Sequence, residues 1–147
     1  MPYPGIQNDE ALFGVPIFAN VEHSLRMRAF HHDVPLMVMT YVGALKSWVY
    51  WVLFRVWKPS LASVRWPVLL TCAATVWLSG RLLLRAAGRT AAVAAAALLA
   101  TDATFLLTSV FDWGPVAFQR LFAVAAMLLA LRFHERRSRV ALFGAFL

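Results

Sequence analysis

The chain has 147 residues, 61% of them hydrophobic and only 14% charged, with a net charge of +7 and six Trp. A soluble domain carries roughly 45–50% apolar and about 25% charged residues, and at this length cannot hide such an apolar excess in one core. That sets aside a soluble basic binder and makes a lipid bilayer the natural solvent. The basic residues interrupt apolar runs and cover no polar face, so the charge reads as membrane topology, with no nucleic-acid partner.

Residues 1–33 read as a polar loop punctuated by Pro2, Pro4, Gly5, Gly14 and Pro16. Residues 1–20 lack the basic and apolar stretches of a signal peptide. Within this region ANVEHSLRMRAF suits a short surface helix. Residues 34–58, VPLMVMTYVGALKSWVYWVLFRVWK, read as an interfacial or re-entrant helix, with a complete span as the rival. Lys46 and Arg55 interrupt this run nine positions apart, on opposite sides of a helix. Trp48, Tyr50, Trp51, Phe54 and Trp57 crowd its second half, as expected at the headgroup boundary.

Three longer apolar runs follow, over about 63–84, 90–110 and 114–133, and VALFGAFL looks like another helix starting at 140. The turn at 81–89 holds Arg81, Arg85 and Arg89, and 132–139 holds four Arg; the turn at 101–115 holds Asp102 and Asp112 and no Lys or Arg. This alternation places the basic turns in the cytoplasm and the acidic turn outside. Residues 1–65 carry six Lys or Arg on the outer side, an exception that long external segments tolerate. The expected architecture is an all-α integral membrane protein. Residues 1–60 form an extracytoplasmic loop with its interfacial helix, and 61–147 form about three transmembrane helices. Cys72 is single and lies in an apolar run, which predicts a buried thiol and no disulfide within the chain.

In this topology Asp9, Glu10, Glu22, Asp33, Asp102 and Asp112 are external and only Glu135 is cytoplasmic. Asp9 and Glu10 stand between turn residues and an apolar run, where a low dielectric strengthens carboxylate hydrogen bonds. An N-cap at Asp9, ahead of a helix beginning near Glu10, is the structural alternative. His31, His32 and Asp33 suit hydrogen bonds to a polar headgroup better than a metal, because three adjacent side chains rarely converge on one ion. Asp112 precedes Trp-Gly-Pro and suits a helix cap, with Pro115 in the first turn. Arg120 falls about two turns, roughly 10 Å, into the third run, where a charge marks a functional site and needs a partner such as Asp112, Asp102 or a lipid phosphate.

The segments NDEALFG, HHDVPLMVMTYVGALKSWVYW, SVRWPVLL and GRLLLRAAGRTAAVAAAALLATDATFLLTSVFDWGP, in that order, resemble the start of bacterial GT-C membrane glycosyltransferases. Within that class they resemble family 39, the group of protein O-mannosyltransferases and lipid A aminoarabinose transferases. The resemblance implies a GT-C helical bundle and inverting transfer of a sugar from a polyprenyl-phosphate-linked donor to a lipid, glycan or protein acceptor. It makes Asp9 the general base and Glu10 its support, with Asp112 as the second-loop acid and Asp102 competing for that place. A cation would hold the carrier phosphate, and Lys46 and Arg120 are suggested by location. The family's H-P-P stretch stands here as H-H-D-V-P, which leaves the substrate roles of His31 and His32 open, and a divalent metal stays open too. The resemblance further suggests a fragment, inactive alone, that lacks a first span and later ones. The alternative is a small non-enzymatic multi-span protein acting as an assembly partner among membrane lipids.

Overall fold

The computed structural model describes residues 8–18, 25–29, 32–39, 42–111, 114–137 and 139–146. These form two compact units, Met1–Pro67 with Phe111–Pro115, and Val68–Val110 with Val116–Leu147. The chain is mostly helical, in keeping with the expected class, but it opens with small elements where a loop was expected. Two one-turn helices, α1 (Asn8–Leu12) and α2 (Val15–Phe18), precede two antiparallel hairpins. In the first, β1 (Arg26–Ala29) pairs with β2 (His32–Pro35), Arg26 opposite Pro35 and Ala29 opposite His32. In the second, β3 (Met37–Met39) pairs with β4 (Val42–Gly43) across a register shift.

Two expectations fail here. The helix expected within ANVEHSLRMRAF is replaced over Arg26–Ala29 by a strand, and the helix expected from residue 34 begins only at Leu45. The reason is local. Pro35 restrains Val34 to extended backbone, and the β-branched Val34, Val38 and Val42 fit a pleated surface better than a helix. An apolar run without a clear period does not distinguish the two.

Helix α3 (Leu45–Val56) has 12 residues and spans about 18 Å, too short to cross a hydrocarbon core of about 30 Å. Its polarity is inverted. Lys46, Ser47 and Tyr50 are buried, whereas Trp48, Trp51, Val52 and Val56 are exposed. Lys46 and Arg55 do lie on opposite sides: Arg55 is exposed and rests 3.9 Å over the Trp51 ring. The first unit's core gathers Phe13, Val38, Ala44, Tyr50 and Val64.

Helix α4 (Leu61–Ala86) starts with a reciprocal cap. The Ser63 amide donates to Ser60 Oγ at 3.1 Å, and the Ser60 amide donates to Ser63 Oγ at 2.8 Å. Its inner face carries Ser63, Thr71, Thr75 and Ser79 beside Val64, Val68 and Cys72, all buried. Small and hydroxyl-bearing residues of this kind allow close helix approach in lipid. Cys72 is a buried free thiol, as its apolar setting predicted. Gly88, at φ +88°, makes the turn into α5 (Arg89–Thr101), a conformation open to glycine.

Helix α6 (Ala103–Val110) follows α5 at a 58° bend. After it come α7 (Val116–Arg136) and α8 (Arg139–Ala145), which packs back on α7 with Gly144 against Leu129. Among the described residues two helices, over Leu61–Ala86 and Val116–Glu135, are long and apolar enough to cross a membrane, and a third span results if α5 and α6 act as one. The second unit's core joins Val68 and Cys72 of α4 to Phe105 of α6 and Ala117 of α7.

Candidate functional site

The first unit builds its most polar buried feature from two distant stretches. Glu10 lies in α1, and Arg65 lies in the second turn of α4, placed there by the Ser60 cap. Arg65 donates from Nε to Glu10 Oε1 at 2.7 Å and from Nη2 to Oε2 at 3.2 Å. The Glu10 residue is 2% exposed. A two-pronged guanidinium–carboxylate contact is directional and strong. The same guanidinium lies 5.6 Å from the centre of the Phe111 ring.

Lys46 is buried in the same unit. Its Nζ donates to the Gly114 carbonyl at 2.9 Å and lies 4.2 Å from the Phe13 ring centre and 5.8 Å from that of Tyr50. Aromatic faces stabilise a cation held away from water. Gly114 adopts φ +60°, which aims its carbonyl without Cβ strain. Arg65 and Lys46 therefore hold Phe111 and Gly114, the two described residues that bracket Asp112-Trp113, in the unit that contains Glu10. Tyr50 donates its hydroxyl to the Val64 carbonyl at 3.0 Å, and Trp48 donates Nε1 to the Pro35 carbonyl at 2.7 Å. These bonds tie α3 to α4 and to β2.

An open cavity of about 340 Å³ lies beside Glu10, with walls from Gly14, Phe18, Tyr50, Phe54 and Val64. The walls are almost entirely apolar, and Phe54 stacks on Tyr50 with ring centres 5.5 Å apart. The site can thus offer an apolar slot next to a carboxylate whose two oxygens are taken by one guanidinium.

The other sequence-derived candidates are distributed as follows. Asp9 lies inside α1, which starts at Asn8, ahead of the start expected near Glu10; its side chain is outside the described residues. His31 and Asp112 are outside the described residues, and His32 is described only as a backbone position in β2. Asp102 does not sit in the turn after the second run. It stands at the bend between α5 and α6 and caps α6, accepting the Phe105 amide on Oδ1 at 2.6 Å. Its own amide closes α5 on the Leu98 carbonyl at 2.9 Å, and its carbonyl accepts the Leu106 amide at 2.9 Å.

Arg120 belongs to the second unit, one turn inside α7 instead of the expected two, and donates from Nη1 to Thr108 Oγ1 at 2.6 Å. Among the described residues no group of three His, Cys, Asp or Glu converges as a metal site. Sequence reasoning missed Arg65. The sequence signal for it was K-P-S-L-A-S-V-R, a cap followed by an arginine in the opening turns of an apolar helix. No protein family, characterised protein or solved structure matches the chain in comparison.

Proposed function

We propose that the chain takes part in sugar transfer from a polyprenyl-phosphate-linked donor to a lipid, glycan or protein acceptor at the outer face of a bacterial inner membrane. In this reading it belongs to a GT-C, family-39-like bundle, with residues 1–60 extracytoplasmic. The observation that carries the reading is the Glu10–Arg65 pair. Asp9 and Glu10 are adjacent on one short helix, and a carboxylate with both oxygens on a guanidinium is a weak base. The proton-accepting role therefore falls to Asp9, while Glu10 anchors α1 to the start of α4.

In the proposed reaction the acceptor hydroxyl oxygen attacks the anomeric carbon and its proton passes to Asp9. The bond from that carbon to the phosphate oxygen breaks with inversion, and polyprenyl phosphate leaves. The apolar slot beside Glu10 suits the aliphatic part of a lipid-linked substrate. The clusters of Arg81, Arg85 and Arg89 and of Arg132, Arg136, Arg137 and Arg139 at helix ends support the assigned sidedness.

The test is Asp9→Asn, assayed in membrane vesicles with a labelled polyprenyl-phosphate sugar. Loss of a general base lowers turnover by roughly 10²–10⁴-fold, with insertion into the membrane unchanged. Full turnover in that variant defeats the base assignment. Absence of transfer in the wild type, across donors, favours a non-enzymatic assembly protein instead.

A further inference from the structure

Arg120 stands four residues after Val116, about 6 Å along a helix long enough to cross a bilayer. Its Nη1 donates to Thr108 Oγ1 at 2.6 Å, and its Cζ lies 5.3 Å from the centre of the Phe105 ring. The Thr108 hydroxyl hydrogen is already directed at the Thr104 carbonyl, 2.8 Å away, with the Phe105 carbonyl at 3.1 Å. The Thr108 oxygen can therefore only accept from Arg120. It orients the guanidinium without neutralising it. Among the described residues no carboxylate forms an ion pair with Arg120.

An arginine charge inside a span is costly unless it meets an anion or reaches the interface. One turn from the helix start is within the reach of this long side chain to the headgroup level. The anion in greatest local supply there is the lipid phosphate. The guanidinium fork retains N–H donors in the planar arrangement that fits two phosphate oxygens. We infer that Arg120, oriented by Thr108 and Phe105, forms a binding site for the phosphate of a membrane lipid. The site stands whether or not the chain takes part in sugar transfer, because its geometry lies wholly within the second unit.

The test uses the full chain, purified in mild non-ionic detergent and supplied with phosphatidylglycerol, decaprenyl phosphate or diacylglycerol. Retained lipid is counted by native mass spectrometry. One phosphate-bearing lipid stays bound to the wild type. Arg120→Gln lowers its retention at least tenfold, Arg120→Lys and Thr108→Val weaken it less, and Arg85→Gln in the last turn of α4 leaves it unchanged. Retention of phosphatidylglycerol or of decaprenyl phosphate tells which lipid supplies the phosphate, and either supports the site. Equal retention of diacylglycerol overturns it, as does displacement of the lipid by millimolar inorganic phosphate. Unaltered retention in Arg120→Gln also overturns it. If circular dichroism finds Arg120→Gln unfolded, Arg120→Lys and Thr108→Val decide, and unchanged retention in both overturns the site.

Discussion

Glu10, Lys46 and Arg65 place three charges in the first unit at sites where most proteins bury hydrocarbon, Glu10 and Lys46 being only 2% and 3% exposed. Removing water from a carboxylate is tolerable when a guanidinium meets both oxygens, and becomes costly when that partner is deleted. Arg65→Leu should therefore destabilise the folded chain by about 3–5 kcal/mol, measured by denaturant titration in mixed micelles. The double variant Glu10→Leu with Arg65→Leu should regain a large part of that loss, since it leaves no stranded charge. Equal instability of single and double variants would show that Arg65 acts through its packing on Phe111 and not through the ion pair. None of this was open to sequence reading. No local spacing links Glu10 to a partner 55 positions away.

At the scale of elements, the bend between α5 and α6 is the least expected feature. No proline or glycine lies at it. The cause is Asp102, which closes one helix with its amide and opens the next with its carboxylate. Thr101 and Thr108 direct their hydroxyls back at carbonyls one turn earlier, at 2.8 Å in each case, a habit that also bends helices. Asp102→Ala removes the cap and should cost about 1 kcal/mol, whereas Asp102→Asn, an equally good capping residue, should cost far less. Thermal unfolding of both variants in the same detergent checks this, and equal losses would deny the capping role. Helix α3 was half legible. Its aromatic second half and its two opposed cations read correctly as a helix, because period and spacing carry that information. The preceding VPLMVMTYVG did not, because apolar content there reports burial without reporting backbone state.

For the whole molecule, the decisive question is whether α4, long and apolar enough to cross a membrane, does so. Helix α4 joins Lys58 and Ala87, both exposed, across its full length, and 26 residues give it about 39 Å, enough to cross. Lys58→Cys and Ala87→Cys, each placed in a Cys72→Ser background, should react with an impermeant thiol reagent from opposite sides of intact cells. Outside labelling is expected at position 58 alone, with position 87 reacting after permeabilisation. Labelling of both positions from one side would remove α4 as a span.

Composition and charge order alone determined that the chain forms several apolar helices, two or three of them able to cross a membrane, with arginines clustered over 81–89 and 132–139 at helix ends. Those properties sum over many residues and survive errors at any one of them. Tertiary structure alone decided that Glu10 meets Arg65, that Lys46 reaches Gly114 across 68 positions, and that Arg120 donates to the Thr108 hydroxyl. The reason is physical: a charge's role depends on which group shares its low-dielectric surroundings, and such partners come from remote parts of the chain that no local spacing connects.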